Sequence, residues 1–378
     1  MSYSLYIHVP FCVKKCNYCD FTSYAGLLHM MPPYLSALKN EMMAYSQLVD
    51  SPALKSIYFG GGTPSLLTEE DIRDILDAAR AHFTFEEKIE ISMEVNPGTV
   101  NLAKLLSIKR SGVNRLSIGA QSFNDAKLKV LGRIHTESQI HYTFKSARYA
   151  GFDNINLDLI FALPDQDVID WSNTLKKAVS LRPEHISTYN LVIEEGTPFH
   201  KERMNLTLPS EDEECAMYED TINTLLFSGY EHYEISNFAK PGFQCGNNLT
   251  YWRNEEYIGI GAGATSYLSV SRYANPTSVE DYISEWEKPD GELVKKKYES
   301  GLINSEQELS ETMFLGLRLT KGVDIKRLKT KFGTKLLTKY DEPIQELIEL
   351  GLLEFNGFHL RLTRKGLFLA NEVFRKFV

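Results

Sequence analysis

The chain of 378 residues is long enough for one large domain and a smaller one, because single hydrophobic cores stop growing at roughly 250–300 residues. Its composition, 43% hydrophobic and 24% charged, is typical of a globular enzyme, and a formal charge of −9 disfavours a general nucleic-acid-binding protein. The first twelve residues lack the pattern of a signal peptide, and the most apolar stretch, residues 155–163, is too short to span a bilayer. We therefore expect a cytoplasmic protein.

Residues 2–190 alternate between strand and helix patterns. Apolar runs of strand length occur at 5–9, 56–59, 89–95, 115–118, 155–160 and 185–191. Segments with helical spacing lie between them, at 34–48, 69–81, 102–111, 138–150 and 171–181. This alternation predicts an α/β fold of parallel βαβ units. Periodicity alone leaves open whether the six units form a partial barrel or an open doubly wound sheet.

We divide the chain into three regions. Residues 1–230 hold the α/β units, residues 231–300 form an aromatic and glycine-rich connection expected to cover them, and residues 301–378 form a C-terminal module. In that module, helices are predicted at 308–319, 324–331, 336–350 and 364–374, with a hairpin at 352–355 and 359–362 around Asn356-Gly357, a strong turn signal. The pattern predicts a winged-helix-like domain.

Unusual residues follow the first four strands directly. Cys12–Cys19 follow the first, Gly60-Gly61-Gly62 the second, Asn96-Pro97 the third and Gln121-Ser122 the fourth. In parallel α/β folds, ligands bind where the carboxyl ends of strands converge. These residues are therefore predicted to share one site.

Cys12, Cys16 and Cys19 have the spacing of a loop that turns three thiolates toward one metal centre. Thiolates select zinc or iron–sulfur clusters. A structural zinc site needs four ligands, and His8 is the only nearby candidate for the fourth. Three cysteines on a [4Fe–4S] cluster instead leave one iron open to a substrate. A zinc site, or three unrelated buried thiols, remains the alternative.

These motifs resemble those of the radical SAM superfamily, and within it the group that contains oxygen-independent coproporphyrinogen III dehydrogenases and heme chaperones. The resemblance spans nearly the whole chain, and the cysteine spacing combined with the glycine block is specific. The matching blocks are Tyr6-Ile-His-Val-Pro-Phe-Cys12, Tyr58-Phe-Gly-Gly-Gly-Thr-Pro-Ser65, Glu94-Val-Asn-Pro97, Arg115-Leu-Ser-Ile-Gly-Ala-Gln-Ser-Phe123, Leu131-Gly-Arg-Ile-His135, Asn156-Leu-Asp-Leu-Ile160, Tyr233-Glu-Ile-Ser-Asn237 and Tyr257-Ile-Gly-Ile-Gly-Ala-Gly-Ala264.

The resemblance implies a partial (β/α)6 barrel with a [4Fe–4S] cluster on the three cysteines and S-adenosylmethionine (SAM) across its top, cleaved reductively there. It implies that two tyrosines flank the cluster and adenine, a glycine block holds the methionine amino group, and four polar residues contact the ribose and the methionine carboxylate. These residues are Tyr6 and Tyr18; Gly61, Gly62 and Thr63; and Glu94, Gln121, Arg133 and Asp158. The alternative is that Glu94 and Asp158 cap loops and that Arg133 is a solvated surface charge.

Within the group, Phe21 favours the chaperone over the dehydrogenase, because dehydrogenases resemble one another in a fourth cysteine at that position. Coproporphyrinogen III dehydrogenase activity is therefore the alternative. The chaperone reading implies heme or a porphyrin as ligand, a ferredoxin- or flavodoxin-type electron donor, a heme-acceptor protein and transient membrane association. The chaperone's heme-associated block resembles His-Asn-x-x-Tyr-Trp, but Asn247 stands where its histidine is expected, and an amide is a poor heme ligand. Cys245 and His232 are the candidate substitutes.

Two further patterns in the sequence have competing interpretations. Gly259-x-Gly261-x-x-Ala264 resembles a dinucleotide fingerprint but lacks a surrounding βαβ unit, so close packing of a loop over the barrel is predicted. The lysine-rich segment 321–339 raises the hypothesis of a winged-helix DNA-binding regulator. A solvated helix face explains such a run more often, and the rest of the chain is acidic, so no nucleic-acid partner is expected.

Overall fold

The computed structural model describes residues 2–48 and 53–378. Its strands in chain order are β1 (Ser2–Val9), β2 (Phe11–Cys12), β3 (Tyr24–Ala25), β4 (Ala53–Gly61), β5 (Thr84–Val95), β6 (Arg115–Gln121), β7 (Ile155–Phe161), β8 (His185–Asn190), β9 (Glu231–Glu234), β10 (Asn237–Ala239), β11 (Tyr257–Ile260), β12 (Thr265–Leu268), β13 (Ser271–Ala274), β14 (Val323–Asp324), β15 (Leu353–Phe355) and β16 (His359–Leu362).

The α-helices are α1 (Met31–Leu48), α2 (Glu69–His82), α3 (Leu102–Arg110), α4 (Asp125–Val130), α5 (Glu137–Tyr149), α6 (Val168–Ser180), α7 (Pro198–Lys201), α8 (Glu211–Phe227), α9 (Gly246–Trp252), α10 (Val279–Glu285), α11 (Gly291–Ser300), α12 (Ser305–Gly316), α13 (Ile325–Phe332), α14 (Thr334–Leu337), α15 (Asp341–Glu349), α16 (Arg364–Phe368) and α17 (Ala370–Arg375). Short 3₁₀ turns lie at Leu28–Met30, Pro64–Leu66, Arg203–Asn205 and Thr338–Tyr340.

An eleven-stranded sheet organises the larger part of the molecule. Its order is β13-β12-β11-β1-β4-β5-β6-β7-β8-β10-β9. The strands from β11 to β8 run parallel, and two antiparallel strands close off each end of the row. Because the terminal strands β13 and β9 are not neighbours in this order, the sheet is open, as in a partial barrel. The predicted α/β fold with a parallel sheet is confirmed.

One parallel strand was not predicted. β11 lies beside β1, with Leu5 opposite Ile258 and Ile7 opposite Ile260, although some 250 residues separate them in sequence. Residues 231–300, expected to cover the barrel, thus supply β9 and β10 to one edge of the sheet and β11 to β13 to the other.

The hydrophobic core explains why these segments fold as they do. Every residue of β6 is buried, as expected for a central parallel strand covered on both faces. Outer helices begin at conventional caps; Thr68, for example, forms a capping box with Asp71 at the start of α2. The barrel and the C-terminal module have separate cores, the latter running from Leu309 to Phe377.

The C-terminal module contains the predicted hairpin, β15 and β16, with β14 as a third antiparallel strand. Two predicted helices are interrupted. The helix predicted at 336–350 is split into α14, a 3₁₀ turn and α15, and Pro343 lies in the first turn of α15, where its missing N–H breaks no helical hydrogen bond. The helix predicted at 364–374 breaks at Leu369.

Among the described residues, no helix combines the length and apolar character that crossing a membrane requires.

Candidate functional site

A cavity of about 470 Å³ opens at the carboxyl ends of the parallel strands. Its lining brings together eleven of the residues singled out from sequence, drawn from five separate stretches of the chain. They are Cys12, Cys16, Tyr18 and Cys19; Gly61, Gly62 and Thr63; Glu94; Gln121 and Arg133; and Asp158. One composite site therefore exists where the strand ends converge.

The cysteine loop is anchored at both ends and in the middle. Cys12 ends β2, which pairs with β3 through Phe11 opposite Tyr24. Midway, the Asn17 backbone N–H donates to Leu131 O at 3.0 Å, and its side-chain amide donates to Val130 O at 2.9 Å. These contacts fix the loop against the end of α4 and hold its thiols over the cavity.

Each of the three sulfurs has a polar neighbour. Thr63 Oγ1 donates to Cys12 Sγ at 3.5 Å, Arg133 Nη1 donates to Cys16 Sγ at 3.4 Å, and Cys19 Sγ lies 3.8 Å from Ser23 Oγ. Burial raises the pKa of the Cys12 and Cys19 thiols. Hydrogen-bond donors and a cation beside buried sulfurs suit thiolates that carry charge to a metal centre.

The arrangement is unfavourable to a single zinc ion. Four ligands about 2.0–2.3 Å from zinc would lie within roughly 4 Å of one another. Among the residues of segments 2–48 and 53–378, no three His, Cys, Asp or Glu side chains could together hold one metal ion. His8, the expected fourth ligand, has both ring nitrogens engaged, Nδ1 with Tyr6 Oη at 3.1 Å and Nε2 with Thr22 O at 2.7 Å.

The glycine block is packed tightly against the end of β1. Gly61 has φ +110°, and a Cβ there would lie 2.6 Å from His8 Cε1. A Cβ on Gly62 would lie 2.8 Å from Phe11 O, and the Gly62 N–H donates to Val9 O at 2.8 Å. The absence of side chains is therefore required for packing as well as for backbone access to the cavity.

Two half-buried carboxyl groups, Glu94 and Asp158, face the cavity. Glu94 accepts from Tyr58 Oη at 3.1 Å and from the Gly61 N–H at 3.2 Å. Burial, reinforced by the negative charge of Asp158, raises the pKa of Glu94 to about 8. Asp158 accepts from Ser117 Oγ at 2.8 Å, and burial raises its pKa as well. Such a pair is suited to accepting hydrogen bonds from the hydroxyls of a ligand.

Arg133 is a half-buried cation that joins three structural elements. Besides Cys16, its guanidinium donates to the side-chain oxygen of Asn96 at the end of β5 and to Gly119 O in β6 at 3.0 Å. Although burial works against the charged form, Tyr18 and Cys16 keep its pKa above the ordinary value. Arg133 is therefore not a solvated surface charge.

A buried hydrogen-bonded chain leads away from Asp158 toward β9. Tyr233 Oη lies 2.8 Å from His185 Nε2, and His185 Nδ1 lies 2.7 Å from Asn156 Oδ1. Asn156 Nδ2 in turn donates to Asp158 Oδ1 at 2.8 Å. Burial lowers the pKa of His185, so its neutral ring donates through Nδ1 and accepts from the Tyr233 hydroxyl.

Sequence reasoning gave no role to Tyr58, which orients Glu94. Asn96, predicted to share the site because it follows a strand, lines the cavity, accepts from Arg133 and donates to Thr63 Oγ1 at 3.1 Å. Tyr189, at the end of β8, also lines the cavity. Tyr58 and Tyr189 are the residues that sequence reasoning missed. Their position at strand ends was a usable signal, because every strand of the parallel row except β1 and β11 contributes at least one lining residue directly.

Three of the predicted ligand-binding residues lie outside the lining of this cavity. Tyr6 stacks on Tyr58 with ring centroids 6.1 Å apart and is not part of the cavity lining. Cys245 is buried, with Sγ 3.8 Å from Glu90 Oε1. His232 stacks on Phe238 at 4.2 Å and has Nε2 3.1 Å from Ile235 O, and burial lowers its pKa to about 4. Asn247 is also buried, at a position separate from this cavity.

Comparisons with known proteins agree with this geometry. Residues 6–178 match the radical SAM superfamily, and residues 303–369 match the HemN C-terminal domain. The chain is 38% identical to the heme chaperone HemW of Bacillus subtilis, over 99% of both chains. It is 44% identical to the heme chaperone HemW of Escherichia coli, over 69% of both chains. Among solved structures, coproporphyrinogen III oxidase (HemN) of Escherichia coli matches with a TM-score of 0.83 at 25% identity, covering 99% of this chain and 89% of that one.

The relatives cover the barrel and the C-terminal module together, and the superfamily match contains the three cysteines of the loop, the glycine block and all four polar residues of the cavity. The chain belongs to the heme chaperone HemW family of the radical SAM superfamily.

Proposed function

We propose that this protein is a heme chaperone that carries a [4Fe–4S] cluster on Cys12, Cys16 and Cys19 and binds SAM in the cavity beside it. The observation that carries the proposal is the convergence of three thiols, a glycine block, two carboxyl groups and a guanidinium on one cavity. The names of the relatives, heme chaperones of Bacillus subtilis and Escherichia coli, support heme as the cargo.

The residues divide the binding of SAM among them. Gly61, Gly62 and Thr63 present backbone and hydroxyl groups to the methionine amino group, and Arg133 offers a fixed guanidinium to the carboxylate. Glu94 and Asp158 accept hydrogen bonds from the ribose hydroxyls. When bound, the cluster supplies the electron for reductive cleavage of SAM, and the protein contributes position, charge and exclusion of water.

The proposal also covers the partner proteins and the cellular compartment. A ferredoxin- or flavodoxin-type protein is the electron donor, a heme-binding protein is the acceptor, and the cytoplasm is the compartment, because cluster thiols of this kind require a reducing environment. Transient association with a membrane would allow delivery of heme to membrane-bound acceptors.

Coproporphyrinogen III dehydrogenase is a second candidate, because the solved HemN structure overlays on 99% of the chain. Phe21 disfavours it. This side chain is 63% exposed at the cavity rim, at the position where the dehydrogenases are expected to carry a fourth cysteine.

Anaerobic reconstitution with iron and sulfide tests the proposal and separates the two candidates. The reconstituted protein should be brown, cleave SAM on reduction and take up one heme per chain with a shifted Soret band. It should leave coproporphyrinogen III unchanged. A protein that carries zinc instead, or that shows no Soret shift on heme titration, would contradict the proposal, and oxidised porphyrin product would select the dehydrogenase.

A further inference from the structure

A second cavity, of about 540 Å³, lies between the sheet edge formed by β9 and the C-terminal module. Part of its wall is apolar, with Leu249 and Trp252 from the segment around α9, and Leu319 and Leu328 from the module's side. The volume falls within the roughly 300–1,000 Å³ typical of cavities that enclose small organic ligands. A flat, largely apolar molecule is the class of ligand that such a wall accommodates.

Two imidazoles line this cavity, and only one is available to a ligand. His232 is engaged with Ile235 O through Nε2 and stacked on Phe238. His359, on β16 opposite Asp324, is partly exposed, and its ring forms no hydrogen bond within the described part of the chain. An unengaged imidazole in an apolar-walled cavity is suited to ligating a metal.

Four cations border the cavity. Lys331 is paired with Glu308 at 2.6 Å, and Arg327 lies 3.9 Å from Glu255. Arg253 and Lys321 form no ion pair with any residue in segments 2–48 and 53–378, and both are exposed at the cavity. Two carboxylates, Glu231 and Asp324, line the same cavity, so its four cations leave it with a net positive charge. A positively charged cavity matches a ligand that carries two carboxylates.

Trp252 adds an independent observation. Its indole lines the cavity, and its buried Nε1–H has no acceptor among the described residues. A buried donor without a partner costs roughly 1–3 kcal/mol, so a ligand that accepts a hydrogen bond from this N–H would gain stability from the contact. The ring also offers an aromatic face for packing against a macrocycle.

We propose that heme binds in this second cavity, with His359 as an axial ligand of the iron and with Arg253 and Lys321 facing the two propionates. This inference rests on the proposed function and locates the cargo in it. It places the iron ligand in the C-terminal module rather than at Asn247, whose side chain is buried outside the cavity. Cys245 lies outside the cavity as well.

Heme titration of the full-length protein, followed by absorption spectroscopy, tests the assignment. His359→Ala should weaken heme binding at least about tenfold and remove the spectrum of histidine-ligated iron, and added imidazole should restore it. The control is His29→Ala, which removes an exposed histidine outside both cavities and should change nothing. His232→Ala should keep the ligated spectrum.

A second test uses a double variant that leaves the hydrophobic core of the C-terminal module unchanged. In Arg253→Glu/Lys321→Glu both substituted side chains are exposed, so folding should be retained, and heme affinity should fall about tenfold for each cation reversed. Wild-type affinity and an unchanged spectrum in both variants would overturn the assignment and leave the proposed function standing. Failure of the wild-type protein to bind heme would overturn the proposed function itself, and the assignment with it.

Discussion

Arg133 donates through Nη1 to the sulfur of Cys16, 3.4 Å away, and so connects the cysteine loop to the ends of β5 and β6. The guanidinium is held by Asn96 and Gly119 before any ligand arrives. A cation fixed in this way offers its remaining hydrogen-bonding capacity to a carboxylate with little loss of conformational entropy.

We expect Arg133→Met to lower the affinity for SAM at least about tenfold while the iron content of the reconstituted protein stays unchanged, because the three thiols remain. Equilibrium dialysis with labelled SAM measures the affinity. Arg73→Met, which removes an exposed arginine from α2, is the matched control. Unaltered SAM binding in Arg133→Met would show that the guanidinium only supports the loop.

The cysteines of the loop are expected to be required for the cluster, and the cysteines outside the loop are not. Cys16→Ser should abolish the brown colour and the iron content after anaerobic reconstitution, because two thiolates cannot hold the cluster. Cys215→Ser removes an exposed thiol from α8 and should retain both. Equal iron content in the two variants would remove the basis for a cluster on this loop.

Gly61 is expected to be intolerant of any side chain. Gly61→Ala combines a φ of +110° with a contact of 2.6 Å to His8 Cε1, whereas Gly151→Ala has a φ of +88° and open space around the new Cβ. Backbone strain alone costs roughly 1–2 kcal/mol, and overpacking adds about 1–3 kcal/mol. Urea unfolding should therefore show the larger loss of stability for Gly61→Ala. Equal losses would mean that the His8 side chain moves away from the new Cβ at no cost in free energy.

The raised pKa of Glu94 predicts that the stability of the folded protein depends on pH. Its pKa in the folded protein is raised to about 8 by burial and by Asp158, so the folded state binds more protons than the unfolded state between the ordinary value of 4.5 and about 8. Stability from this group is present below pH 4.5 and is lost as the pH rises through 8, by at most about 1.4 kcal/mol per pH unit.

Glu94→Gln removes that proton uptake. The free energy of unfolding of the variant, relative to wild type, should therefore rise as the pH is raised from 5 to 9, whatever constant offset the lost hydrogen bonds cause. Chemical denaturation at a series of pH values gives the difference directly. A difference that does not vary with pH would mean that Glu94 is already ionised at pH 5 in the folded protein.

The sequence predicted six of the seven parallel strands and most helices because their patterns are local. It predicted that residues such as Gly61, at the end of β4, share a site because ligands bind where parallel strands end. Arg133, which follows the helix α4, was identified through the resemblance to the radical SAM superfamily. The roles assigned to these residues stay predictions. β11 was missed because its pairing with β1 depends on a contact between segments 250 residues apart, which periodicity does not encode.

Gly259 and Gly261 were predicted to allow close packing of a loop over the barrel. Gly259 lies instead within β11, and a Cβ on it would lie 2.0 Å from the backbone oxygen of Thr265, the first residue of β12. The availability of His359 could not be read from the sequence either. It depends on which groups surround each imidazole in the folded protein. His232 is stacked on Phe238 with Nε2 3.1 Å from Ile235 O, whereas the ring of His359 has no hydrogen-bond partner in the described part of the chain.

The chain of hydrogen bonds from Tyr233 through His185 and Asn156 to Asp158 begins at the wall of one cavity and ends at the wall of the other. Tyr233 donates to His185, His185 donates to Asn156, and Asn156 donates to Asp158, so each hydrogen bond polarises the next one. Heme that reorients the Tyr233 hydroxyl would thereby change the affinity of the first cavity for SAM. SAM would change the affinity of the second cavity for heme by the same factor. Loading and release of heme would then depend on whether SAM is bound.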